Sequence, residues 1–381
     1  MKMPRVLGVL PVLVVVALPV SPVAAQDLVI GVAAPMTGNL AQVGKQFAEG
    51  AQLAADEVNA KGGIKGRKVV VRVEDDKGDP KEAATVAQKF AVNDQVLAVL
   101  GHYSSSACLA AVPIYTRARL ATITPSAART DLTKQGGKYM FRMWSPISVY
   151  VPDLARYIVK KLGKKNVGVV YVQNDWDDWG MQAKNAFVKE MEKLGGRVTA
   201  LETVNDKDTS FKAQLTKIKT ANPDALAILT YYTSGAHLTF QARNLGITAP
   251  LVGTSTLYED KLLEIAGKGN AEGLTVNTEF HADDPAPMVQ DFVALYQKVH
   301  PGEKPETYHA TTYDAARIVL SAIEKVGTDR DAIRDAVAAI RTFAGVTGTF
   351  SFNEQREREA KDQVYLLVKD GKWTFIGRQT Y

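Results

Sequence analysis

From residue 28 to residue 266 the chain alternates short apolar runs with longer amphipathic segments, and this alternation constrains the fold more than any other feature. The runs at 28–33, 96–100, 167–172 and 225–229 read as strands buried on both faces. Between them, apolar residues recur three and four apart. In 44–60, Phe47, Ala51, Ala54, Ala55 and Val58 form one helical stripe, and Gly62-Gly63 ends it. The first series predicts strands at 28–33, 69–73, 96–100 and 120–124, with helices at 44–60, 81–92 and 107–117. A second series starts near Ser148, with helices at 149–162, 180–194, 210–221, 236–245 and 259–266 and strands at 167–172, 198–202, 225–229 and 251–253. Strand–helix alternation implies parallel sheets covered by helices on both faces. Two series imply two doubly wound α/β lobes. The later chain predicts helices at 289–299, 308–326 and 330–340, then a hairpin of 363–369 and 373–377 around Asp370-Gly371. No linker rich in Pro, Gly or Ser separates the halves, so the chain is expected to cross between the lobes more than once.

The first 25 residues bear on compartment. Lys2 and Arg5 precede an apolar run from Val6 to Val20, and Val23-Ala24-Ala25 stands before Gln26. That charged, apolar, small-residue order is the pattern of a cleavable secretory signal, and the run is short for a membrane span. The mature protein is expected to begin near Gln26 and to be exported. With one cysteine, Cys108, it has no internal disulfide and rests on its apolar core; Cys108 is expected to be packed in a helix. The formal net charge is +5, with Lys and Arg spread among Asp and Glu. No dense basic block suits nucleic acid.

Nothing in the sequence assembles a catalytic set. His102, His237, His281, His300 and His309 show no paired metal-ligand spacing, and no nucleophile elbow, P-loop or dinucleotide fingerprint follows a strand. Ser105 lies near His102, but at a spacing that rarely gives a nucleophile and base. Asp75-Asp76 reads as a solvated strand end rather than a metal site. Neither enzymatic activity nor a cofactor is expected.

In open parallel sheets, ligands bind beyond the carboxyl ends of the strands. After the third strand come Tyr103, Ser104 and Ser105; after the fourth come Ser126, Ala127 and Ala128. Both segments open toward helix starts, whose N–H groups and partial positive charge suit a carboxylate. In the second series, Trp179 and Tyr231 stand at strand-end loops and are candidates to wall a pocket.

These residues belong to a wider pattern. Residues 30–38 (IGVAAPMTG), 56–66 (DEVNAKGGIKG), Asp75-Asp76 with Asp79-Pro80, Gly101-His102 with Ser104 to Ser106, Ile123-Thr124-Pro125, Thr312 to Ala316, and Gly348-Thr349-Phe350 with Phe352-Asn353 occur in order along the mature chain. Together they resemble the leucine/isoleucine/valine-binding type of periplasmic protein, served by ABC importers. The resemblance implies a type I periplasmic binding fold with a hinge and an interlobe cleft. It implies lobes of 26–145 plus 279–349 and 146–278 plus 350–381, with crossings near 144–148, 276–279 and 348–353. It further implies that a small carboxylate-bearing ligand, a hydrophobic or branched-chain amino acid with an aromatic carboxylate or amide as the alternative, is held by Tyr103, Ser105, Ser126, Ala127 and Ala128 from one lobe and by Trp179, Tyr231 and Ser255 from the other. The partners it implies are that ligand and an importer permease, with a monomeric protein. Three positions depart from the family pattern. Ser255 stands where amino-acid binders carry an acidic residue, Val43 where a tyrosine is common, and Ala128 where a threonine is usual. An ammonium without a counter-charge is costly to bury. Either Asp175 or Glu279 supplies that charge, or the ligand is an aromatic carboxylate or amide. A role as a ligand-sensing module for a membrane receptor is the alternative to transport.

Overall fold

Fifteen strands and thirteen α-helices make up the described residues of the computed structural model, which are 1, 3, 26–173, 178–359 and 362–379. The expected leader lies almost wholly outside them, as does Asp175. In chain order the first part runs β1 (Leu28–Ala34), α1 (Ala41–Ala60), β2 (Val69–Asp75), α2 (Pro80–Ala91), β3 (Val96–Gly101), α3 (Ser105–Arg117), β4 (Ala121–Thr124), α4 (Leu132–Gly136) and β5 (Met140–Arg142). The second part runs α5 (Ile147–Arg156), β6 (Asn166–Val172), α6 (Trp179–Lys193), β7 (Arg197–Val204), α7 (Lys212–Ala221), β8 (Ala225–Leu229), α8 (Tyr232–Asn244), β9 (Leu251–Thr254), α9 (Asp260–Ala266), α10 (Lys268–Ala271) and β10 (Thr275–Thr278). Then follow α11 (Pro287–Val299), α12 (Thr307–Val326), α13 (Arg330–Ala338), β11 (Phe343–Gly345), β12 (Gly348–Phe352), β13 (Arg358–Glu359), β14 (Gln363–Lys369) and β15 (Lys372–Gln379).

Two sheets result. The first has order β2-β1-β3-β4-β5 and is parallel throughout. The second has order β15-β14-β10-β9-β8-β6-β7, parallel from β7 to β10, with β14 and β15 added antiparallel at one edge. This is the two-lobed α/β arrangement of a type I periplasmic binding protein. The central strands are buried along their whole length, as their apolar runs require. The β14–β15 turn places Asp370 and Gly371 at φ 52° and 69°, the left-handed geometry that tight hairpins favour. Close helix contacts need small residues. A Cβ on Gly50 of α1 would meet the His309 carbonyl oxygen at 2.4 Å, and one on Gly180 of α6 would meet that of Val172 at 1.9 Å. Through Gly50, α12 packs directly on α1.

The chain passes between the sheets after β5, after β10 and again before β14. Strand β12, where the third crossing was expected, pairs with β11 and β13, and Glu357 bridges Arg142 at the edge of the first sheet. Among the described residues, no helix is long and apolar enough to cross a membrane.

Candidate functional site

The carboxyl ends of β3, β4, β6, β8 and β9 converge on one cavity between the sheets. The first sheet contributes two loops fastened to each other. Ser104 caps α3 by accepting the Ala107 N–H at 3.1 Å. The Ser105 hydroxyl accepts the Arg129 N–H at 3.1 Å and keeps its own proton to donate. Ser126 Oγ donates to the Tyr103 carbonyl at 2.8 Å, and Thr124 Oγ1 donates to the His102 carbonyl at 2.8 Å while accepting the Ala127 N–H at 3.0 Å. The Ala128 carbonyl accepts the Ile147 N–H at 2.7 Å, tying this turn to the first crossing.

Behind these loops, His102 is fully buried. Its Nδ1 lies 2.6 Å from Asp76 and its Nε2 3.1 Å from the Tyr115 hydroxyl. Asp76 is therefore an interior group, not the solvated strand end expected from sequence; it also accepts the Gly78 N–H at 2.8 Å. His102 is turned to Asp76 and Tyr115, so it makes no nucleophile–base pair with Ser105. No group of three His, Cys, Asp or Glu among the described residues is placed to hold a metal.

The second sheet contributes rings. Trp179 opens α6 and donates its indole N–H to the Tyr150 hydroxyl at 2.7 Å. Its ring lies 5.6 Å from that of Tyr231, which lies 6.3 Å from Tyr103 of the other sheet. Tyr103 meets Tyr308 edge-on at 5.6 Å, and Tyr308 tilts against Trp144 at 5.5 Å. Burial pushes the Tyr308 phenol far above its ordinary range, so the ring is neutral.

All eight residues singled out in the sequence, Tyr103, Ser105, Ser126, Ala127, Ala128, Trp179, Tyr231 and Ser255, border this one cavity. Trp144, Tyr150, Thr256 and Tyr308 border it too and were not anticipated. Trp144 and Tyr150 flank the first crossing, and a chain that crosses a cleft must line it; that was the available signal. Val43, in the first turn of α1, is packed in the core and does not border this cavity. Glu279, considered as a counter-charge, is at the hinge, where Arg358 Nη1 donates to it at 2.6 Å and the Ser145 N–H at 3.2 Å. No acidic side chain among the described residues borders the cavity. Its volume is about 20 Å³, room for about one water, so a solute enters only as the rings separate. A larger cavity of about 640 Å³ lies between α1, α9 and the segment before α12, lined by charged side chains of both signs. The smaller one has the strand-end position and the aromatic lining expected of a solute site, whatever its size.

A family model described as periplasmic binding protein matches residues 27–372. The chain belongs to the periplasmic binding protein family. Within that family it is 31% identical over 323 residues to an amino acid binding protein of Pseudomonas aeruginosa, covering 84% of this chain and 85% of that one. Its fold matches LivJ of Streptococcus pneumoniae, a branched-chain amino acid transporter substrate binding protein solved with isoleucine. The TM-score is 0.86 at 30% identity, covering 93% of this chain and 99% of that one. It also matches an ABC transporter solute binding protein of Rhodopseudomonas palustris solved with 3,4-dihydroxy benzoic acid. There the TM-score is 0.82 at 25% identity, covering 93% and 97%. The site of this periplasmic binding protein thus has structural neighbours of two ligand chemistries.

Proposed function

We propose that this protein is the periplasmic solute-binding component of an ABC importer. It captures a small carboxylate with a flat apolar body and delivers it to the importer's permease without chemical change. One observation carries the ligand class: the cavity sets a serine hydroxyl and helix-start N–H groups against six aromatic rings, and no acidic side chain among the described residues borders it. The carboxylate meets Ser105 and the amides at the start of α3 and in the 126–128 turn. The body lies against Trp179, Tyr231 and Tyr103. Ring stacking adds about 0.5–1.5 kcal/mol per aromatic pair beyond burial of area. We divide the lobes as 26–145 with 279–359 and 146–278 with 362–379, moving the last boundary from the expected 349/350 to just before β14 because β12 pairs with β13 and Glu357 bridges to β5.

The second reading, a branched-chain or other hydrophobic amino acid, is favoured by the relatives' ligands. It requires a partner for the ammonium, and Ser255 offers only a hydroxyl. Thermal-shift measurements with benzoate, 4-hydroxybenzoate, benzamide, L-leucine and L-phenylalanine separate the readings. The aromatic acids should raise the melting temperature by mass action. A larger response to L-leucine would overturn the ligand class. In the variant Ser255→Glu, a charge-assisted hydrogen bond of about 1.5–3 kcal/mol should strengthen L-leucine binding about 10- to 150-fold and weaken benzoate. Calorimetry with both solutes checks it, and unchanged leucine affinity would refute the role given to position 255.

A further inference from the structure

The geometry points to the seam of Gln46, Glu259 and Glu306 as a proton-binding site: Glu259 takes up a proton when the lobes close, so that closure is favoured in acid. Gln46 is on α1, beside the first sheet, and Glu306 caps α12, which packs on α1. Glu259 precedes α9 in the part of the chain built around the second sheet. The Gln46 amide nitrogen donates to Glu259 at 2.8 Å and to Glu306 at 2.7 Å, so one side chain holds two carboxyl groups together across the seam.

Glu259 is 2% exposed, and its Oε1 is buried without a hydrogen-bond partner. Glu306 sits at the positive end of α12, where its carboxylate accepts the His309 N–H in a capping box. Glu306 is only partly buried and borders the larger cavity, so of two carboxylates this close the buried Glu259 is the one disfavoured in its charged form. The proton therefore belongs on Glu259, which burial and the neighbouring Glu306 push well above the usual carboxylate range. Protonated, Glu259 is a donor rather than a second charge beside Glu306.

The surrounding groups do not cancel this. Asp260, the adjacent residue, adds negative potential and is itself pushed up to about 6 by burial and Glu306, with Lys268 and Lys304 opposing. Tyr232 from α8, pushed up to about 12, and the buried phenols of Tyr258 and Tyr308 remain neutral. Lys45 of α1 pairs outward with Glu49, which His309 also meets at 3.0 Å. His281, in the loop that also bears Asp283, is held down to about 4 by burial and is neutral here.

Opening the lobes parts Glu259 from Gln46 and Glu306 and returns it to water, where it ionises in the ordinary carboxylate range. The closed form then binds one proton more than the open form. Its equilibrium constant falls by up to about tenfold per pH unit above that range, until the closed-state pKa is passed. Small-angle X-ray scattering on the purified protein without solute tests this independently of ligand identity. Wild type should be more compact at pH 5 than at pH 8. Glu259→Gln, a neutral isostere, should stay compact at both, and Glu306→Gln should show a weaker response than wild type. A pH response in both variants as large as wild type's, or none in wild type, would overturn the assignment.

Discussion

Arg358→Met should destabilise the protein by about 5–7 kcal/mol, because the ion pair it breaks joins all three crossings at the hinge. Arg358 and Glu279 are each 1% exposed and meet at 2.6 Å. Glu279 follows β10 at the second crossing and also accepts the Ser145 N–H of the first at 3.2 Å. Gln363, at the start of β14 beyond the third, reaches it at 3.4 Å. Arg358 Nη1 further donates to the Met143 carbonyl at 3.3 Å, and Nη2 to that of Thr347. Stranding one member of a buried pair costs about 3–5 kcal/mol. Each of the two carbonyls left without its donor adds about 1 kcal/mol. Glu279→Leu strands Arg358 instead and should cost about 3–5 kcal/mol. The double variant strands neither charge, so it should cost only about 2–3 kcal/mol, the residue of lost carbonyl bonds. Urea unfolding followed by circular dichroism gives all four corners of the cycle. Single variants within about 0.5 kcal/mol of wild type, or a double variant as costly as the sum of the singles, would refute the hinge assignment.

Two more predictions concern the site and its flank. Ser105→Ala should weaken benzoate about 10- to 100-fold in calorimetry, because a hydrogen bond to a charged group is lost. Ser126→Ala should weaken it less, since Ser126 Oγ already donates to the Tyr103 carbonyl and acts by holding that loop; equal effects would contradict this division. Stability should also fall as pH drops from about 6.5 toward 4, through His281. Its folded pKa is depressed to about 4 by burial, so the unfolded chain binds the proton first and the stability present above the unfolded value is lost in this window. The loss is on the order of 3 kcal/mol, and denaturation of His281→Asn across the same range should show a shallower decline.

The parts of the fold legible in the sequence are those whose signal is local. Strands such as 96–101 and 225–229 are apolar throughout, and the glycines that stop α1, α6 and α8 take positive φ at Gly62, Gly195 and Gly246. Strand β10 was not legible, because Thr275, Asn277 and Thr278 give no apolar run. It is buried only because distant partners satisfy it: Asn277 donates to the Tyr150 carbonyl at 2.8 Å, and Thr278 meets Thr307 at 2.7 Å. Strand β5 has three residues, too few to show a period. For the candidate site, strand-end topology singled out Ser105, Ser126, Trp179 and Tyr231, which border the cavity. It said nothing of Tyr308, which begins a helix some 80 residues after Thr230 and reaches the cavity because α12 packs on α1.

The contacts that join the lobes differ in chemistry according to what must happen to each. At the hinge, Glu279 and Arg358 are desolvated and paired with each other, so separating them is costly and the crossings stay together as the lobes turn. In the cavity, ring contacts such as Trp179 to Tyr231 would be replaced by contacts of the same kind with the flat solute we propose. At the rim, Arg129 meets Asp178 at 2.9 Å, with both side chains partly in water, and the Tyr232 hydroxyl donates to the Asn39 carbonyl at 2.6 Å. Such bonds exchange for water at small net cost. The Glu259 seam differs from these, because in our proposal opening it changes the charge of a buried group. With a weak rim, a firm hinge and a cavity that closes on aromatic rings, differential contact with the solute sets the closed population, and the proton on Glu259 sets the baseline from which the solute works.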